Sequence, residues 1–230
     1  MPSCNSLRIP LLMSQPDSRL RCVTKTVVNF LSWILVSPAV LVCYLETLRG
    51  DGYERMFHSC GQCFALLPGF LGMCLRRAFY CGTLRSCSWE CQIEFGSIIS
   101  HREATVESEV FIGNYALLGR VHLKQGCLIG SRSSILSSGA HHVLNGNGHW
   151  TTPDSLDLKV TVIGAYAWVG EGTVVMFDVG EGALVSAGAV TSARVLDHVM
   201  VAGNPARFVR RLFESREIRD ASDEKATHGE

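Results

Sequence analysis

From Val106 onward, aliphatic residues return every sixth position, which excludes the usual elements. They stand at Val106, Ile112 and Leu118, slip by one residue, and continue at Leu123, Ile129 and Ile135. After an interruption they return at Ile163, Val169 and Val175, then Val179 and Val185. A helix face repeats every 3.6 residues and a strand face every 2, so six fits neither. A fixed short period is the mark of a stacked repeat. If each unit is a short strand plus a turn, three units make one triangular coil. The recurring aliphatic residues then point inward and stack on their equivalents above and below. Glycine often follows them, as expected where a corner allows little bulk or needs unusual φ. Backbone groups pair between coils, leaving edges only at the two ends of the column.

Two irregularities mark this pattern. A polar loop, Ser137–Lys159, contains His141, His142, His149, Trp150 and Pro153. Near Asp178 the spacing shortens by two residues. The ends of such a stack must be covered. An N-terminal helical region and "GNPARFVRRL", Gly203–Leu212, are the two candidate caps, the latter as a short C-terminal helix.

The 230 residues allow one sizeable core. With 21 basic and 21 acidic residues, no basic excess points to nucleic acid. Of ten cysteines, Cys60, Cys63, Cys87 and Cys91 have zinc-ribbon-like spacing, but the sequence between them is apolar and helix-like. They read better as small buried residues in a reducing compartment, with no metal expected.

The expected organisation is a mobile N-terminus (1–21), an apolar helical membrane-associating region (22–85), a β-helix (91–212) and a flexible charged tail (213–230). Val27–Leu45 carries no charge over 19 residues and follows Arg19, Arg21 and Lys25. A second apolar stretch, Cys63–Leu75, is broken by Pro68 and Gly69, and Arg76 and Arg77 follow it, where they are expected to meet lipid headgroups. Membrane docking is the favoured reading; a single span and a helical cap on a soluble core are the alternatives.

The repeats, the "AWVGEGTVV" coil at Ala167–Val175 and the ending "SAGAV…VMVAGNPARFVRR" resemble the hexapeptide-repeat acyltransferases, in particular the sugar and exopolysaccharide O-acetyltransferase branch. The resemblance implies a left-handed parallel β-helix, an exception to the right-handed crossover rule. It implies a homotrimer with sites between subunits, acetyl-CoA or another acyl-CoA as co-substrate, and transfer to a sugar hydroxyl. "SSILSSGAHH" matches the family's Ser/Thr-Gly-x-His pattern and assigns the general base to His141, with His142 as its rival. Asp154 and Asp157 are within sequence reach as orienting acids. Asn114 is implied at the acceptor. Trp168, Gly170, Ala187, Gly188, Arg194 and Arg207 are implied along the cofactor, with Arg194 replacing a lysine common in relatives. Arg210 and Arg211 are further phosphate candidates. A cytosolic donor implies that the β-helix faces the cytoplasm, attached to the membrane's cytoplasmic side. The competing readings are a non-catalytic trimeric scaffold and a carbonic-anhydrase-like enzyme with zinc shared between subunits through His101, His122 and His141.

Overall fold

Successive strands of two or three residues, separated by turns, wind the chain from Ser86 to Thr191 around three flat faces. The computed structural model describes residues 19–50, 53–137, 144–150 and 159–212. Expectations for the extreme N-terminus, the C-terminal tail, His141, His142, Asp154 and Asp157 lie outside the described residues. The first face holds β1 (Ser86–Cys87), β4 (Thr105–Val106), β7 (Val121–Leu123) and β10 (Thr161–Ile163). The second holds β2 (Gln92–Ile93), β5 (Phe111–Ile112), β8 (Leu128–Ile129), β11 (Trp168–Val169), β13 (Leu184–Val185) and β15 (Val199–Ala202), ending in β16 (Arg207–Arg211). The third holds β3 (Ile98–Ile99), β6 (Leu117–Leu118), β9 (Ser134–Ile135), β12 (Val174–Val175) and β14 (Val190–Thr191). Among the described strands, all pairings are parallel except β15 with β16. The fold is a parallel β-solenoid.

The inward positions are those set by the six-residue period. Val106, Ile112, Leu118, Leu123, Ile129, Ile135, Ile163, Val169, Val175, Val179 and Val185 are all buried. Register aligns them, as where Ile112 pairs with Ile129 and Ile129 with Val169. The glycine after the aliphatic residue serves close approach rather than unusual φ. A Cβ on Gly130 would lie 2.6 Å from the Glu171 backbone nitrogen in the next coil. Positive φ occurs further on, at the corners, and there non-glycine residues also adopt it, among them Tyr166 (55°) and His198 (54°).

The shortened unit at Asp178 is repaired by a side chain. Asp178 Oδ1 accepts the Val162 N–H at 2.9 Å, while the Asp178 carbonyl accepts the Val195 N–H. Val179 still bridges Ile163 and Val195, so the first face continues without a full strand.

Three helices, α1 (Arg19–Thr47), α2 (Arg55–Ala65) and α3 (Gly69–Thr83), cover the N-terminal end. Pro68 and Gly69 break the second apolar stretch as the sequence implies: Pro68 stands immediately before α3 and Gly69 takes φ +70°. Arg76 and Arg77 do not meet lipid headgroups. Arg76 is buried and donates to the carbonyls of Phe64, Leu67 and Ile93, so its fork satisfies the open end of α2 and ties it to the first coil. Arg77 donates from Nη2 to Asn29 Oδ1 at 2.8 Å. At the far end of α1, Glu46 accepts the Met56 and Phe57 N–H groups and pairs with Arg102 at 2.6 Å. Burial pushes the Glu46 carboxyl up, but these partners outweigh it and hold it below its ordinary value.

The expected short C-terminal helix is instead β16, antiparallel to β15. The last coil presents unpaired backbone groups along β15, and a strand can satisfy them where a helix cannot.

The zinc reading of the cysteines fails on geometry. Cys87 Sγ lies 3.7 Å from Cys91 Sγ, whereas Cys60 interacts with Cys43, so the four do not converge. Burial pushes the thiols of Cys43 and Cys127 up to about 12, so they stay protonated.

Replacing Ile129 with Ala should cost about 3 kcal/mol through lost burial and a cavity, whereas Leu128→Ala, on the outer side of the same strand, should cost less than about 1. Chemical denaturation of both variants checks this. Glu46→Gln should cost about 3 kcal/mol, the lower end for breaking a buried ion pair. The depressed folded-state pKa of Glu46 stabilises the fold above its unfolded value near 4.5, and that contribution is lost as pH falls through the lower folded value. Acid melting curves should therefore steepen below about pH 4.5 in wild type and less so in Glu46→Gln.

Candidate functional site

A coil corner is where side chains and backbone become reachable, because the inside of the column is filled. At the corner between the second and third faces, successive coils are linked by hydrogen bonds. Arg132 N–H donates to Asn114 O, Gly172 to Ser131 O, and Gly188 to Glu171 O. In the last coil, Val190 N–H donates to Gly203 O and Ala206 N–H to Val190 O. Asn114, Gly170, Ala187, Gly188 and Arg207 therefore belong to one corner, although up to 93 residues separate them (207 − 114).

The roles that geometry permits them differ. Asn114, Ala187, Gly188 and Arg207 are exposed. Gly170 is buried; its N–H donates to Val185 O at 2.7 Å and its carbonyl accepts from Ser133 Oγ at 2.9 Å. Its amide is thus committed to coil stacking and is not offered to a ligand. Gly172 and Gly188 sit at positive φ with open space where a side chain would project. At the opposite corner, between the first and second faces, Tyr166 covers Gly126 and His198 covers Gly182. The second–third corner thus carries an open backbone strip in its later coils that the first–second corner lacks.

Arg194 is not part of this constellation. It is exposed between β14 and the Val195 bridge, at the corner between the third and first faces. The His141 loop leaves the column at that same corner, between β9 and β10. Arg120 marks its base, with its N–H on Ser137 Oγ and its carbonyl accepting from Thr161 N–H. Within the loop, Leu144 and Trp150 form an antiparallel bridge, and Asn145 Oδ1 accepts the N–H groups of Asn147 and His149.

Trp168 stands 54% exposed on the outer side of β11. It lines a groove of about 590 Å³ together with Tyr166, Glu181, Leu184, His198 and Leu212. The sequence reading does not single out Tyr166, Glu181 or His198. Their signal lies in the corner positions: Tyr166, Gly182 and His198 recur at a spacing of 16, the residue count of a shortened coil.

Of the histidines in the zinc reading, His101 and His122 are described, and each is engaged with its own carboxylate. His101 Nδ1 contacts Glu54 Oε2 at 2.9 Å beside α2, while His122 Nε2 contacts Glu107 Oε1 at 2.7 Å on the first face. Burial raises Glu54 and Glu107, but their histidine contacts and backbone N–H partners outweigh it and lower both. Among the described residues no group of three or more ligating side chains forms a metal site.

A three-sided parallel β-solenoid with both ends covered and a histidine-bearing loop at one corner defines the class. No family model matches the chain. Over 124 residues the chain is 28% identical to a probable macrolide acetyltransferase of Lysinibacillus sphaericus, which covers 47% of this chain and 66% of that protein. Over 60 residues it is 35% identical to a chloramphenicol acetyltransferase of Escherichia coli, covering 25% of this chain and 29% of that protein. The chain thus spans just under two thirds of one curated relative and under a third of the other. A maltose O-acetyltransferase from Clostridium difficile 630 superposes with a TM-score of 0.55 at 13% identity, over 70% of this chain and 87% of that one. That likeness is one of fold. Repeat, architecture and the two sequence relatives together support the hexapeptide-repeat acyltransferase family.

Gly170→Ala would set a Cβ 2.5 Å from the Ala187 backbone nitrogen. It should cost about 2 kcal/mol through overpacking and displace the Ala187–Gly188 turn. Thermal melting checks the cost, and amide exchange at Gly188 checks the displacement.

Proposed function

We propose that this chain is an acyl-CoA-dependent O-acyltransferase, with acetyl-CoA as the simplest donor and a sugar hydroxyl as acceptor. The observation that carries the reading is the 124-residue similarity to an acetyltransferase, on a chain that folds as a parallel solenoid. The sugar acceptor draws support from the coil ending "GNPAR" and from the fold shared with a maltose O-acetyltransferase. His141 is the general base. It takes the proton from the acceptor hydroxyl as the oxygen bonds to the thioester carbonyl carbon; the carbon–sulfur bond then breaks and the departing sulfur receives the proton. The thioester is already activated, so no enzyme nucleophile is needed. The open strip at Gly172 and Gly188 suits the narrow, extended pantetheine arm, and Arg207 on the same corner suits its phosphates.

The reading includes a homotrimer. Leu128 and Trp168 are exposed on the flat second face, in register on neighbouring strands, and present an apolar stripe of the kind that side-by-side packing around a threefold axis buries.

Purified protein supplied with acetyl-CoA and a panel of acceptors, including maltose, other sugars, a macrolide and chloramphenicol, should release CoA with at least one sugar. His141→Ala should lower that rate about 100-fold or more without changing oligomeric state, while His142→Ala should stay within a few-fold of wild type. Sustained turnover in His141→Ala would remove the base assignment. Absence of CoA binding by wild type would favour a scaffold.

A further inference from the structure

We propose that the N-terminal cap is a membrane-docking face, with α1 lying along the surface of an anionic bilayer rather than crossing it. The proposal is independent of the acyl-transfer reading. A helix on a soluble core turns one apolar stripe inward and a polar side outward. α1 turns an inward stripe to the column: Asn29 on Arg77, Trp33 on Trp89, buried Ser32, Val36 and Cys43, and Glu46 on Arg102. Its other side is also apolar. Phe30, Leu31, Ile34, Leu35, Leu41 and Leu45 are each at least half exposed. Val23–Thr47 has the length and mean hydropathy, 2.0, of a membrane helix, with 17% of its most apolar stretch buried. The loop after α2 and the first turn of α3, in the same cap, add exposed Leu66, Phe70 and Leu71. This much exposed apolar surface is rare on a soluble monomer and marks an interaction site.

Three observations select the occupant and the geometry. First, α1 is fastened from its middle to its C-terminal end. Trp89 lies in the turn between β1 and β2, and Arg102 in the turn between β3 and β4, so the contacts reach two different corners of the first coil. Asn29 to Glu46 is about 26 Å of helix held across the end of the column. A spanning helix, surrounded by lipid, would have to give up the mid-helix contacts of Asn29 with Arg77 and of Trp33 with Trp89. Second, Glu46, the sole carboxylate of α1, is turned inward and its side chain is 5% exposed. The outward side therefore carries no negative charge. Third, Arg19, Arg21 and Lys25 stand at the start of α1, where cations complement anionic headgroups.

The full-length chain should be mixed with phosphatidylcholine vesicles, with and without phosphatidylglycerol, and sedimented. We expect co-sedimentation that strengthens at least tenfold with the anionic lipid, weakens with salt, and is reversed by alkaline carbonate. Leu31→Glu/Leu35→Glu/Phe70→Glu should lower vesicle binding at least tenfold while keeping wild-type circular dichroism; if that variant does not fold, Leu35→Gln/Phe70→Gln serves in its place. Resistance to carbonate would mean a span and overturn the proposal. So would failure to bind either vesicle, a self-associated form lost in the same variant, or unchanged binding by a folded variant. None of these outcomes touches the CoA-release assay.

Discussion

The strands of this solenoid find their hydrogen-bond partners in neighbouring coils, not in their own. Leu128 donates to Ala167, Trp168 to Ala183 and Ser186 to Val201, each a coil away. A strand of two residues has no stability alone; it persists because its neighbours supply both partners and a shared interior. That demand places the backbones so close that Gly130 and Gly170 admit no side chain. It also leaves the interior too narrow for anything but stacked aliphatic residues and a few satisfied hydroxyls, such as Ser133 on the Gly170 carbonyl. Everything reachable by a ligand is consequently pushed to the corners and the loop.

The same demand creates a problem at each end, and the two ends solve it differently. At the C-terminal end, β16 pairs with β15, and three arginines along it discourage further strand addition. At the N-terminal end, three helices cover the first coil, fastened by Arg76 on the carbonyls of Phe64 in α2 and Ile93 in β2 and by Glu46 with Arg102. Burying those charges is tolerable because each is multiply hydrogen-bonded. The cap therefore has a firm inner surface, while its outer surface remains apolar.

The column was legible because its geometry and its sequence share one period: the inward set from Val106 to Val185 can be read directly from spacing. The caps were less legible. Arg76 looks like a charge terminating an apolar run, and its partners are backbone carbonyls, which leave no mark in a sequence. Arg207–Arg211 has no strong periodicity, and its strand conformation is imposed by the edge of β15. The corner that joins Asn114 to Gly188 and Arg207 became visible only once coils were stacked in register. The Asp178 gap showed that something was missing, but not that a side chain would stand in for it.

The most direct test of this account is residue-resolved hydrogen exchange on the full chain. Amides that bond between coils, including those of Leu128, Ser134, Trp168 and Val174, should exchange slowly together, while corner amides that make no such bond, as at Asn114, Glu171 and Ala187, exchange faster. Protection confined to the three helices, with rapid exchange at those four positions, would contradict the stacked column and every site built on it.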